Sequence, residues 1–337
     1  MNSYERVFAR FEGKPVDRIP NFSIVMQYAA DMFHVQYGRM VSDYRVFVDA
    51  MCSCTEKLHL DCLWAISDPM REAEGFGADI VIPENGVPYS RRPLIQDISD
   101  IKKLRTIPPE SGKRMNDRLM AVQALVQRAA KTTPVIGWVE GAFAEACDLI
   151  GINEAMTTII DEPEAMEELF QKCLEQAKLF ALAQIQEGAD IIGVGDAAAS
   201  LVSPNHFQHF ILPFQKELIG YIKSHGAKAK LHICGNINRV FHLVVQSGAD
   251  MIDCDHMVDL RAAAEMANDH NACVCGNFDP VSVLLRGSVD DVREAVKNCS
   301  QIGYKTNFIA AGCEVPRSTP LENMLAIHET LCTQSLQ

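Results

Sequence analysis

A short phrase recurs along this chain and sets the architecture open to it. Gly77-Ala78-Asp79, Gly188-Ala189-Asp190 and Gly248-Ala249-Asp250 each close an amphipathic stretch and open an apolar run, and His225-Gly226-Ala227-Lys228 is a near-copy. Glycine takes up the left-handed conformation that closes a helix without steric cost, so each copy reads as a helix end followed at once by a buried strand. The stretch before the second copy shows the pattern. Asp161 stands where it can cap a helix, Pro163 suits the first turn, and Glu164 lies three residues after the cap. Met166, Leu169, Phe170, Cys173, Leu174, Ala177 and Phe180 then share one face at helical spacing. Gly188 ends the helix, and Ala189–Val194 reads as a short strand.

The same reading places strands near Arg18–Val25, Cys62–Ile66, Pro134–Val139, Asp190–Gly195, Ala229–Cys234, Met251–Cys254, Ala272–Cys275 and Asn307–Ala311. Apolar strands that alternate with helices imply a parallel sheet covered on both faces. Eight of them without a Gly-rich dinucleotide fingerprint favour a closed α/β architecture, a (β/α)8 TIM barrel, over a doubly wound sheet. A helical extension precedes the first strand. Ala78–Leu94 reads as a hairpin-like insertion after the second, with Asn85-Gly86 as its turn. No linker or low-complexity block divides the chain, so residues 1–337 are expected to form a single domain.

Charge and apolar content narrow the function. With 31 basic and 44 acidic residues the net charge is −13, which argues against a nucleic-acid partner, since that needs a basic surface. No run approaches the ~18 apolar residues of a membrane span, and the first residues carry no export signal, so a cytoplasmic location is expected. In a reducing compartment the twelve cysteines are not expected to pair, and each is by default a small buried hydrophobe.

Position singles out a few of them. In a barrel the site lies at the carboxyl ends of the strands, and there the chain places Ser67-Asp68, Gly195-Asp196, His232-Ile233-Cys234, Asp253-Cys254-Asp255-His256, Cys273-Val274-Cys275 and Gly312-Cys313-Glu314. His232 and Cys234 are two apart on a strand and leave the same face. Cys313 can close on them across the barrel mouth. One nitrogen and two sulfurs suit tetrahedral Zn²⁺ with a fourth position open, for which Asp255 is the candidate ligand. Cys273-x-Cys275 competes as a pair but precedes what reads as a tight turn. Cys52-x-Cys54 falls in a helix, where that spacing diverges by about 200°. Asp68, Asp196 and Asp253 read equally well as helix caps.

Several motifs resemble the uroporphyrinogen decarboxylase-like superfamily: Glu5-Arg6-Val7 with Asp17-Arg18-Ile19-Pro20, the Gly188-Ala189-Asp190 strand, and Ser203-Pro204 with Phe207, Phe210 and Pro213. Gly276-Asn277-Phe278-Asp279-Pro280 and Gly312-Cys313 through Thr319-Pro320-Leu321-Glu322-Asn323 extend the resemblance nearly end to end. It implies a (β/α)8 barrel. The decarboxylase branch carries an arginine-rich motif near its start, a histidine in the final strand motif and a tyrosine in the third. Here Asn21–Tyr28 has no arginine, Cys313 takes the histidine's place, and Gly141–Ala146 has no tyrosine. Asp68 does match the decarboxylase's catalytic aspartate.

The other branch, corrinoid-dependent methyltransferases similar to the methylcobamide:coenzyme M enzymes, carries a zinc motif of His-x-Cys and a distant Cys. That is what His232, Cys234 and Cys313 supply. The resemblance implies methyl transfer between the cobalt of a corrinoid (methylcobalamin) on a separate corrinoid-binding protein and a small molecule. That molecule is a thiol such as coenzyme M as acceptor, or a methoxy-aromatic or methylamine as donor. Glu314 and Asp255 make a poor setting for a sulfonated acceptor, and Arg239 and Arg317 are only isolated basic candidates. The alternatives are a decarboxylase acting on a carboxylated tetrapyrrole through Asp68, and a non-catalytic barrel that binds a cobamide or metal.

Overall fold

In a computed structural model of the chain, which describes residues 1–302 and 306–333, nine strands are present. They are β1 (Leu63–Trp64), β2 (Ile80–Val81), β3 (Tyr89–Ser90), β4 (Val135–Glu140), β5 (Ile191–Gly195), β6 (Lys228–Ile233), β7 (Met251–Cys254), β8 (Cys273–Cys275) and β9 (Asn307–Phe308). Seven pair in parallel in the order β1-β4-β5-β6-β7-β8-β9, with helices in the connections. The expected first strand, Arg18–Val25, forms only a single bridge, Asn21 to Ile309. Its backbone still joins the two sheet ends: Phe22 N–H donates to Ile309 O at 2.7 Å, and Asp61 N–H to Asn21 O at 2.9 Å. Pro20 has no N–H to extend a ladder, and the Asn21 side chain binds Ser23 instead. The result is the TIM-barrel-like α/β fold expected from the strand pattern.

The helix ends follow the repeated phrase. Gly77, Gly188, Gly226 and Gly248 all have φ between +81° and +106°. After Gly188, Gly226 and Gly248 the chain enters β5, β6 and β7. Gly77 differs, because it leads into the β2–β3 hairpin, where Ile80 pairs with Ser90 and Val81 with Tyr89. Asp161 does not cap the helix that follows it. It is the last residue of Ile152–Asp161, and the next helix, Pro163–Gln186, starts from Glu162 without a side-chain cap. Its predicted apolar face, Met166 to Phe180, is buried. Among the described residues no helix is long and apolar enough to cross a membrane.

One feature of the sheet positions the site. The β5 residues Gly193 and Gly195 stand beside Lys230 and His232 of β6 in the parallel register. A Cβ on Gly193 would lie 2.2 Å from the Trp138 ring, and one on Gly195 2.9 Å from it. The missing side chains therefore make room for Trp138 inside the barrel, next to His232, whose ring centroid is 6.5 Å away.

Candidate metal centre

His232 and Asp253 stand opposite each other in the β6–β7 register, so both side chains leave the sheet at one level. His232 Nδ1 lies 3.0 Å from Asp253 Oδ2, off the line of a straight hydrogen bond. Lys230 Nζ, two residues back on the same face of β6, also donates to Asp253 Oδ2 and sits over the rings of Trp64 and Trp138. All three polar groups are buried. Burial opposes charge on Asp253, but Lys230 and His232 outweigh it and hold the carboxyl down to about 2.

With Nδ1 directed at Asp253, His232 Nε2 faces Cys234 Sγ at 3.0 Å. Cys313 Sγ completes the group 4.0 Å from Cys234 Sγ. The three ligand atoms all lie within 4.8 Å of one another. A tetrahedral zinc site has N–S and S–S edges of about 3.6 and 3.8 Å from its bond lengths, so the donors stand close to the required separations. Burial works against an imidazolium at His232, yet Asp253 and Cys313 raise it to about 9. The Cys234 thiol, hydrogen-bonded to Cys313, draws the latter down against burial, and the same bond pushes Cys234 up. The pair therefore favours one thiolate beside a cationic ring, a charge pattern that a divalent cation would displace and satisfy. The donor types, spacing and orienting carboxylate fit zinc.

Gly312 is what lets Cys313 approach. A Cβ there would lie 2.1 Å from His256 N and 2.8 Å from the Asp255 carbonyl carbon, both backbone atoms. Asp255 itself is not brought into the three-residue group. Its Oδ2 accepts from Gly235 N–H at 2.9 Å and its Oδ1 from Met257 N–H at 3.1 Å, with His256 Nδ1 also 2.9 Å from Oδ1. It thus fixes the turn that follows Cys234.

Asp68 lies elsewhere, in a bidentate pair with Arg114 at 2.6 and 2.7 Å, with Ser67 Oγ donating at 2.6 Å. Burial would raise its pKa, but the guanidinium keeps the carboxyl well below the carboxylate range. Asp196 ties Ala144 N–H to Gln215 and caps nothing on its own side. Cys273 and Cys275 are buried in β8, and all twelve cysteines are free. Arg317 is engaged by Asp31 and by Asn85 O of the hairpin turn, and Arg239 is exposed.

A cavity of about 440 Å³ opens beside the cluster, lined by Glu140, Cys147, Asp148, Ser200, Leu201 and Cys234 among others. Glu140 ends β4 and Asp148 lies one helix later, in Ala142–Ile150. Sequence reasoning passed over Lys230, Trp138, Glu140 and Asp253's contact with His232. The i, i+2 spacing of Lys230 and His232 was the available signal, because a charged residue on an apolar strand needs a buried partner.

The chain is similar to several known proteins along most of its length. A methylcobamide:CoM methyltransferase, MtbA of Methanosarcina acetivorans, is 26% identical over 327 residues, covering 95% of this chain and 94% of that one. A uroporphyrinogen decarboxylase of Carboxydothermus hydrogenoformans is 27% identical over 284 residues, or 82% of this chain and 79% of the relative. A solved methyltransferase structure from Methanosarcina mazei superposes with a TM-score of 0.88 at 22% identity over 98% of both chains, which establishes the shared fold. The family model described as Uroporphyrinogen decarboxylase (URO-D) matches residues 2–333, nearly the whole barrel built above, and the chain belongs to that family.

Proposed function

We propose that this chain, as one barrel domain, transfers a methyl group between the cobalt of a corrinoid on a partner protein and a small molecule, with Zn²⁺ held by His232, Cys234 and Cys313. The observation that carries this reading is the meeting of those three donors, from two segments 79 residues apart, within 4.8 Å. The similarity to methylcobamide:CoM methyltransferases along almost the full length supports the reaction class. When bound, zinc supplies Lewis acidity, favouring the thiolate of a thiol or polarising the heteroatom that bears a methyl group.

The chain's own residues do the positioning. Asp253 orients His232 so that Nε2 is the nitrogen presented, Asp255 sets the turn after Cys234, and Gly312 admits Cys313. Cys234 is shared between the cluster and the 440 Å³ cavity, so a small molecule held there reaches the donors. A decarboxylase mechanism would use Asp68, whose carboxylate is committed to Arg114. Metal content of anaerobically purified protein tests the reading. The expected result is about one zinc per chain, lost in His232→Ala, Cys234→Ser and Cys313→Ser. A parent chain that takes up no zinc when it is offered would sink the mechanism.

A further inference from the structure

The cavity at Cys234 has a charge character of its own. Its lining contains two carboxyl side chains, Glu140 and Asp148, and no lysine, arginine or histidine. Glu140 is only 6% exposed. Its Oε1 accepts from Trp138 Nε1 at 3.0 Å, while Oε2 takes no hydrogen bond from the protein. Behind it stand two further buried carboxyls: Glu72, whose Oε1 accepts from Glu140 N–H at 3.0 Å, and Glu145, neither of whose oxygens has a partner. The nearest cation is Arg71, 3.9 Å from Glu140 Oε1 and equally far from Asp68. Arg114 is engaged by Asp68, and Arg118 lies over the Phe47 ring, 3.9 Å from Asp117 and bonded to Ser67. Among the described residues, Glu140 alone of these four carboxyls has a cationic nitrogen within 4.0 Å, and that guanidinium is shared with Asp68.

We propose that this cavity holds the tail of the small-molecule substrate and selects a tail that carries a positive charge, such as an ammonium group, over an anionic one. The inference rests on the methyl-transfer reading and adds the substrate class to it. An ammonium group would supply hydrogen-bond donors to Glu140 Oε2 and Asp148 and balance the surplus of carboxyls. A sulfonate or carboxylate would meet only like charge or acid protons, with no guanidinium in the cavity lining to grip it. Burial first, then repulsion from neighbouring carboxyls, pushes Glu140 and Glu145 well up and Asp148 to about 8. The surplus is thus held back as protons, which a cationic ligand would release on binding.

Three methyl thioethers of one length test this: 2-(methylthio)ethylamine, 2-(methylthio)ethanol and 2-(methylthio)ethanesulfonate, titrated calorimetrically into the full chain. The amine is expected to bind about tenfold more tightly than the alcohol, with the sulfonate weakest. Its binding should release protons, seen as a heat that varies with the buffer's ionisation enthalpy. Glu140→Gln and Asp148→Asn should each narrow the amine-over-alcohol ratio, weakening the amine by more than the alcohol. A sulfonate bound as tightly as the amine, a ratio unmoved by both variants, or no binding by any of the three would overturn the proposal. The titrations are run on chelator-treated as well as zinc-loaded chain, so the charge order is decided separately from zinc content, which decides the methyl-transfer reading.

Discussion

Asp253 links two buried demands that pull on different partners. Lys230 needs it as a counter-charge, being fully buried with Asp253 and two aromatic rings beside it. His232 needs it as an orienting contact, at 3.0 Å from Nδ1. Asp253→Asn should separate the two. It leaves the ammonium without a counter-ion, which costs about 3–5 kcal/mol for a broken buried pair, read from urea unfolding. It also frees the imidazole to turn, and loss of such an orienting carboxylate lowers metal affinity about 10–100-fold, read by competition with a chelator. Adding Lys230→Met should return much of the stability and none of the zinc affinity. Recovery of both together would show that Asp253 acts on the site only through folding.

The ends of strands, not their middles, decide whether the three donors meet. Cys313 follows a segment with little regular pairing of its own: β9 spans two residues, and beyond it the chain is tied by two isolated bridges, Asn21–Ile309 and Phe278–Ala311. What brings this end against β7 is Gly312, packed on the Asp255–His256 backbone. Gly312→Ala cannot be absorbed by rotating a side chain, because the obstacle at 2.1 Å is a backbone nitrogen. The variant should unfold about 1–3 kcal/mol more easily and hold zinc weakly with all three ligands intact. Unchanged zinc affinity would mean that the approach can relax. These same elements show what the sequence made legible. The helix-to-strand phrase located β5, β6 and β7 because a glycine with positive φ and an apolar run are local signals. His232, Cys234 and Cys313 were legible because strand ends follow from strands. The pairing partner of Arg18–Val25 was not, since a single bridge leaves no periodicity. Nor was the engagement of Asp255 by Gly235 N–H, because a loop amide 20 residues away has no local mark in the sequence. Asp161 misled for a related reason: a good capping residue also fits the last turn of the preceding helix when two helices abut.

Over the whole molecule, the interior carboxyls set how stability varies with pH. Burial, with no full counter-charge, raises Asp148 from its ordinary 3.8 to about 8 and Asp196 to about 6. Each folded-state acid therefore keeps its proton at a pH where the unfolded chain has lost it. The stabilisation is complete below about 4 and is lost as pH rises towards 6 for Asp196 and 8 for Asp148. His328 works in the opposite sense: burial, then Arg18 and His59, lower it to about 4. Folding must hold that imidazole neutral, so stability falls as pH drops from 6.5 towards 4. Together these groups place the maximum near pH ~5, on the acid side of neutral. Urea midpoints should decline from pH 5 to pH 8, and Asp148→Asn should flatten that decline without altering the limb below pH 5. A midpoint that instead climbs towards pH 8 would mean that the carboxyl cluster is already neutralised by groups outside it. The surplus also ties stability to the cavity. A ligand that balances ionised Glu140 and Asp148 stabilises the fold by more where those groups are more strongly driven to ionise. Added 2-(methylthio)ethylamine should therefore raise the midpoint more at pH 8 than at pH 5, and the neutral alcohol should raise it equally at both.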